Sequence, residues 1–443
     1  MSVLSPYLGH RARNTQVLCI VALLSLISAP LQAAGSSVQG AVPAPRHTVN
    51  PYDTRQTLPA TPRASVGPQT PTLPADFQPA APADWTYLVY IVGDNNLEEY
   101  VSIDLETELA SPGSTARVQV VALADRSPDY SADNGNWSDT RLFHVTPGLL
   151  ATANNALSSW GERNMGDPQT LTEFLSFAKT YYPAEKYALV FWDHGWIWRP
   201  GQSMQDETDA DSLDQDEIAQ ALEAVGGVDV VAYDACLMAT IEVMATVRPH
   251  ARAMVASEDY VGYEGFRHEE VLAALNNDPT LDAEGLAIAM AETMTDRTIT
   301  AVTLGPAWDQ LQVAVDNWAG LLLNGLGKNK RQYEQAWKAT KGFADPLTKD
   351  LLDAAVKVRD NVSDAALKSA SQAVIDAVEE VVLFEWHRAV YARAYGITIF
   401  WPQGPRDLDA PSSPVHDFEF YQGALNFAQD TRWDEFIYAY ANR

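Results

Sequence analysis

Five short apolar runs, Tyr87 to Val92, Val118 to Ala124, Tyr187 to Trp192, Val228 to Tyr233 and Ala253 to Ala256, alternate along the chain with stretches of helical periodicity. A strand that reads as an unbroken apolar run is covered on both faces, and strands that alternate with helices pair in parallel. The alternation predicts an α/β protein with a mainly parallel central sheet. Local signals support the helices between the runs. Asp167 can cap a helix with Pro168 at its first position, and Leu171, Phe174, Leu175 and Ala178 form one apolar stripe. A second helix opens at Asp214 with Glu217 at the capping-box spacing, runs through Ile218, Leu222 and Val225, and stops at Gly226 and Gly227. Beyond about Pro306 the pattern becomes largely helical, with Trp308, Leu311, Val315, Trp318 and Leu322 near one face. It then returns to a strand from Gly396 to Trp401, which is expected to join the same sheet.

The N-terminal flank has a different character. Arg11 and Arg13 precede the apolar run Val17 to Leu31, and the small residues Ala33 and Ala34 follow it. This pattern predicts an export signal over residues 1–33 and a periplasmic or extracellular destination. The run falls short of the roughly 20 residues that span a bilayer and is broken by Ser25, Ser28 and Pro30, so no stable membrane anchor is expected. Residues 34–84, rich in Pro, Ala and Thr, read as an extended linker or pro-segment. The chain carries 30 basic against 58 acidic residues, which excludes nucleic acid as an expected partner. It gives no indication of oligomeric state.

Two of the apolar runs end in reactive residues. Tyr187 to Trp192 leads into Asp193, His194 and Gly195, and Val228 to Tyr233 leads into Asp234, Ala235 and Cys236. Ligands bind at the carboxyl ends of strands in open α/β sheets, so these side chains can face one crevice. Without the export signal, which contains Cys19, Cys236 is the sole cysteine and has no partner for an internal disulfide. Leu237, Ile241, Met244 and Arg248 recur at helical spacing, with Pro249 as a stop, so Cys236 is expected to open a helix. The positive end of that helix would stabilise a thiolate. His194 could exchange the proton with the thiol and the departing amine, and the backbone N–H groups of Gly195 and Cys236 could hold a developing oxyanion. From spacing alone, a catalytic pair and a core cysteine beside a structurally bonded histidine both remain open.

The segments WTYLVYIVGDNNLEEY, NMGDPQTLTEFLSFAKTYYPAEKYALVFWDHG, DSLDQDEIAQALEA and VDVVAYDACLMATIEVM resemble the clostripain-like cysteine peptidases in order and spacing. The closing segments YGITIFWP and WDEFIYAYANR are similar to that family's C-terminal features, so the likeness covers nearly everything after Trp85. It implies a caspase-like αβα sandwich, with a peptidase core over residues 85–306 and a helical C-terminal part over 307–443 whose returning strand packs on the core. It also implies a Cys/His dyad at Cys236 and His194 and protein or peptide substrates cut after Arg or Lys. Asp234 matches the family's acid in the pocket for that basic side chain, and Glu264 in GYEGF is the match for a second acid. The chain departs from the family where Trp196, Ile197 and Trp198 replace a glycine-rich stretch, and this bulk could narrow the cleft or form one of its walls.

Other chemistries find no support. His268 and Glu269 begin no H-E-x-x-H zinc motif, there is no G-x-S-x-G elbow, and Gly327-Lys328 lacks a P-loop frame. No cofactor is required by the expected chemistry. The acids Asp206, Glu207, Asp209, Asp211, Asp214, Asp216 and Glu217 could ligate Ca²⁺, but they lack EF-hand spacing and are expected to form an exposed loop. The contrasting functional reading is a non-catalytic secreted protein that binds peptides or glycans on the same scaffold.

Overall fold

A computed structural model describes residues 72–409 and 417–443. The export signal and most of the Pro-rich leader lie outside the described residues. The strands are β1 (Ala83–Gly93), β2 (Val118–Arg126), β3 (Thr140–His144), β4 (Ser158–Gly161), β5 (Ala184–Trp192), β6 (Gln205–Asp206), β7 (Asp211–Ser212), β8 (Val230–Asp234), β9 (Ala253–Ala256), β10 (Thr298–Thr303), β11 (Thr348–Asp350), β12 (Val382–His387) and β13 (Thr398–Phe400). The helices are α1 (Glu98–Ile103), α2 (Pro168–Tyr181), α3 (Gln215–Ala224), α4 (Ile241–Val247), α5 (His268–Asn277), α6 (Ala283–Thr293), α7 (Pro306–Ala339), α8 (Leu351–Asn361), α9 (Ala365–Val381), α10 (Asp417–Ala424), α11 (Asn426–Asp430) and α12 (Trp433–Ala441).

Nine strands form one sheet in the order β12-β10-β9-β8-β5-β1-β2-β3-β4. Its middle five, β9, β8, β5, β1 and β2, run parallel and are the five apolar runs of the sequence. Both edges are antiparallel, built from β3 and β4 on one side and β10 and β12 on the other. Alternate residues of β1 enter different cores. Leu88, Tyr90 and Val92 pack with α2, α3 and α4, and Tyr87, Val89 and Ile91 pack with α5 and α6. This three-layer αβα architecture follows from strands buried on both faces.

The helix signals act as expected. Asp167 accepts a hydrogen bond from the Gln169 amide at the start of α2, whose stripe residues Leu171, Phe174, Leu175 and Ala178 are buried. Asp214 and Glu217 close a capping box on α3. On α7, Trp308, Leu311, Val315, Trp318 and Leu322 are all buried.

Two expectations about the ends of the chain change. The strand near Gly396 does not enter the main sheet: β13 pairs with β11 in a separate two-stranded sheet and touches the main body by a bridge from Thr398 to Thr240. The late strand of the main sheet is instead β12, antiparallel to β10. Its side chains are half-buried or exposed, so an apolar run does not mark it. The packed body also begins before Trp85, because β1 starts at Ala83 and Phe77 packs edge-on against Tyr181 at 5.5 Å. Among the described residues no helix is long and apolar enough to cross a membrane.

Candidate active site

The chain goes from β1 outward to β2 and later returns to place β5 on the opposite side of β1. Such a reversal leaves a crevice at the carboxyl ends of the two neighbours. Register aligns Ile91 with Trp192 and Trp192 with Asp234, so the three strands stop side by side. Asp94, Asn95 and Asn96 leave β1 there, Asp193 and His194 leave β5, and Cys236 follows β8. His194, Asp234 and Cys236 line one small cleft of about 50 Å³, together with Leu97, Tyr100 and Tyr263.

His194 is buried, and its Nε2 lies 2.9 Å from Asn96 Oδ1. A carboxamide oxygen only accepts, so this bond keeps the proton on Nε2 and leaves Nδ1 as the basic nitrogen. Burial lowers the imidazole to about 4, so the ring is neutral near pH 7. The neighbouring Asn95 ties the loops together. Its Nδ2 donates to Val92 O at 3.1 Å, Asp193 Oδ1 at 2.8 Å and Gln205 O at 2.9 Å. Asp193 also accepts from the Gln205 amide at 2.5 Å, and burial raises its carboxyl well above the usual range. Residue-level reasoning passed over Asn95 and Asn96. Their signal was a polar pair just beyond Gly93, at the carboxyl end of the first apolar run.

Cys236 does not open a helix. Helix α4 starts at Ile241, where Thr240 caps it by accepting from the Val243 amide at 3.2 Å. The residues between β8 and α4 instead pair with the chain leaving β9: Leu237 N donates to Asp259 O at 3.0 Å and Ala239 N to Ser257 O at 2.9 Å. Leu237 takes a positive φ of 59° to make this turn. The amides expected to feed a helix are thus committed elsewhere, and Thr240 is the better cap. The thiol therefore receives no help from a helix end. Burial pushes it up to about 12, the Asp259 and Asp234 charges add to the rise, and the Val261 amide, 3.3 Å from Sγ, and Arg297 oppose it.

Gly195 packs directly against this turn. A Cβ at Gly195 would lie 2.5 Å from Cys236 O and 3.0 Å from Ala235 Cβ, so any side chain there would drive the two loops apart. Asp234 is buried beside the cleft, with Oδ2 accepting from the Phe266 amide at 3.0 Å and lying 3.5 Å from His268 Nε2. Gly265 folds over it at φ 50°, and a Cβ there would lie 2.4 Å from both carboxylate oxygens. The loop thus turns its backbone toward Asp234. Glu264, on the same loop, is exposed and outside the cleft lining.

The aromatic wall is also displaced from the expected place. Ile197 and Trp198 are core residues, with Trp198 packed on Tyr421 at 4.7 Å, and Trp196 donates to Asp345 at 3.0 Å. Tyr100 and Tyr263, stacked at 4.8 Å, flank the cleft instead. In the acidic run after β5, Asp206 departs from an exposed loop: it is buried beside Asp94 and Asp125.

Comparison with known proteins agrees with this architecture. A model of the clostripain family matches residues 89–440. Clostripain of Hathewaya histolytica is 33% identical over 215 residues, which span 42% of this chain and 41% of that protein. The fold is similar to a secreted C11 cysteine protease from Bacteroides thetaiotaomicron solved with an irreversible peptide inhibitor, at TM-score 0.57 and 16% identity, covering 80% of this chain and all of the other. It is equally similar to an inactive zymogen C11 protease from Parabacteroides distasonis, at TM-score 0.57 and 18% identity, covering 79% and 99% of the two chains. With the family match extending from the first strand of the sheet to the last helix, this chain belongs to the clostripain family.

Proposed function

We propose that the chain is an exported cysteine endopeptidase that cuts after Arg or Lys, with Cys236 as nucleophile and His194 as general base and acid. The observation that supports this reading most is the meeting of His194, Cys236 and Asp234 in one cleft at the ends of adjacent parallel strands. Nδ1 of His194 takes the thiol proton as Sγ attacks the carbonyl carbon, and the amides of Gly195 and Cys236 are the donors for the oxyanion. Collapse of the tetrahedral intermediate breaks the C–N bond, and His194 returns the proton to the departing amine. Water then attacks the thioester by the same route and frees the enzyme.

The resting pair is thiol and neutral imidazole, because burial raises Cys236 and lowers His194. Substrate completes the site. A guanidinium or ammonium paired with Asp234 offsets one of the negative charges that disfavour the thiolate. The same carboxylate repels an acidic side chain at that position. In Parabacteroides and Bacteroides the structural neighbours are proteases, and one is described as secreted, which agrees with the export signal read in the sequence.

A positional-scanning library of fluorogenic peptides, run on the purified mature protein beside Cys236→Ala, tests the reading. Turnover is expected to be confined to peptides with Arg or Lys before the scissile bond and to be absent in the variant. Preference for another residue would overturn the specificity, and turnover by Cys236→Ala would overturn the nucleophile.

A further inference from the structure

A second buried imidazole stands beside the cleft, and the chemistry described above does not use it. His268 opens α5 and is 1% exposed, with its ring edge-on to those of Tyr87 and Phe266. Its Nδ1 lies 2.9 Å from the hydroxyl of Tyr87 on β1. Its Nε2 is buried with no hydrogen-bond partner and lies 3.5 Å from Asp234 Oδ2. A carboxylate only accepts, so the proton is favoured on Nε2, and the Tyr87 hydroxyl then donates to Nδ1. Three elements distant in sequence, β1, β8 and α5, supply this line of Tyr87, His268 and Asp234.

The two oxygens of Asp234 are therefore unequal. Oδ2 accepts from the Phe266 amide at 3.0 Å and faces His268. A carboxylate oxygen has two lone pairs, and these two donors account for both. Oδ1 takes no hydrogen bond from the described residues and is left to the cleft that Asp234 lines. Gly265 closes over the carboxylate, where a Cβ would lie 2.4 Å from either oxygen, and Glu264 stands outside the cleft. A guanidinium makes its strongest contact as a planar fork on two free oxygens of one carboxylate, whereas an ammonium is a compact point charge that docks on one. A small cleft with a single open oxygen suits the ammonium.

We propose that His268, seated on Tyr87, is a specificity-determining positioning residue: it commits one oxygen of Asp234, so that Lys is taken before the scissile bond in preference to Arg. This rests on the peptidase reading above and narrows its substrate class from basic side chains to a primary ammonium. Asp234 supplies the charge, and His268 decides how much of it a substrate can reach.

The test uses the purified mature protein and fluorogenic peptides identical except for Lys, Arg or norleucine before the scissile bond. In the wild type, kcat/KM is expected to be about tenfold higher for Lys than for Arg, the equivalent of one charge-assisted hydrogen bond that the guanidinium forgoes. In His268→Leu, which keeps an apolar bulk but has no donor, Oδ2 opens and the ratio should fall to about one or below, mainly through KM. Tyr87→Phe removes only the hydroxyl that holds the imidazole and should move the ratio the same way by a smaller factor, about threefold. The norleucine peptide reports any loss common to all substrates. Equal loss on all three peptides, with the Lys-to-Arg ratio unchanged in both variants, would make His268 a packing residue and overturn the proposal. A wild type that favours Arg, or does not distinguish the two, also overturns it and leaves the basic specificity standing. Cleavage after neither Lys nor Arg removes that specificity itself, and the proposal with it.

Discussion

Asn96 Oδ1 and His194 Nε2 lie 2.9 Å apart, although 98 positions separate them in the chain. The bond fixes which ring nitrogen carries the proton, and it does so from the loop after β1, a strand that contributes no reacting atom. Asn96→Ala should therefore lower kcat by about tenfold and leave KM unchanged, since general acid–base positioning rather than binding is lost. Asn96→Gln is not a rescue, because its longer stem displaces the oxygen. A change in KM alone would remove Asn96 from this role.

Cys236→Ala and His194→Ala should each abolish peptide hydrolysis and leave the far-ultraviolet dichroism unchanged. Neither removes much core volume. Phenanthroline should leave activity intact, because the proposed dyad uses no zinc. Undiminished turnover in either variant, measured with a fluorogenic peptidyl-arginine substrate, would sink the dyad.

Asp234→Asn should reduce kcat/KM for Arg and Lys substrates far more than for an uncharged substrate. Removing one partner of a buried charge pair costs ~3–5 kcal/mol, a selectivity loss of roughly a hundredfold to a few thousandfold. Glu264→Gln, by contrast, should have little effect, because that carboxylate lies outside the cleft. Equal loss on charged and uncharged substrates would assign Asp234 to the loop it bonds through Phe266.

The pH response follows from burial. Cys236, raised to about 12, should react with iodoacetamide at a rate that climbs about tenfold per pH unit between pH 8 and 10. A peptidyl-arginine acyloxymethyl ketone should label it rapidly at pH 7.5, since its guanidinium offsets Asp234. The linkage to stability has the opposite sign at the two ends. The unfolded thiol ionises first, so the folded state loses stability as pH rises from about 9 toward 12. The unfolded imidazole takes a proton first, so stability also falls as pH drops from about 6.5 toward 4. An iodoacetamide rate that is already flat at pH 7 would show a thiolate at rest and contradict this picture.

Maturation should leave the segment between the dyad residues uncut. There is no Lys or Arg from Gly201 to Val247, and Arg199 is followed by Pro200, buried and paired with Asp417. A proline after the scissile bond lacks the N–H and fixes φ, which disfavours the extended pose of a substrate. Any self-processing is expected in the leader, at Arg46, Arg55 or Arg63, which lie outside the described residues, and the alternative is a passive linker trimmed by other proteases. Intact mass of wild type beside Cys236→Ala reads the result; two fragments meeting between Gly201 and Cys236 would refute the single-chain expectation.

How much of this was legible depended on burial. The five parallel strands announced themselves because both faces of each are covered, which forces continuous apolar runs. The edge strands did not. β10, Thr298–Thr303, is buried yet mixes Thr with Ile and Val, and β12 carries Glu385 and His387 on a half-exposed edge. At the site, strand ends located His194, Cys236 and Asp234, since topology alone brings them together. Helical periodicity misled at Cys236: Leu237 fits the helical spacing, but its amide is taken by Asp259 O, a partner distant in sequence. Asn96 and the burial of Asp206 beside Asp94 and Asp125 were hidden for a related reason, because only the folded sheet makes these residues neighbours.

The pairing of Arg199 with Asp417 ties the end of the molecule to its centre. Arg199 lies five positions after His194, packed over Trp198 and Phe400, and its carboxylate arrives only with α10. During synthesis, every strand of the main sheet leaves the ribosome before that carboxylate does. Until then a packed guanidinium would be a buried charge without this counterion, so the segment after β5 is expected to pack only once Asp417 is available. The surroundings of His194 are thus completed by a residue that is synthesised after every strand of the sheet beneath it.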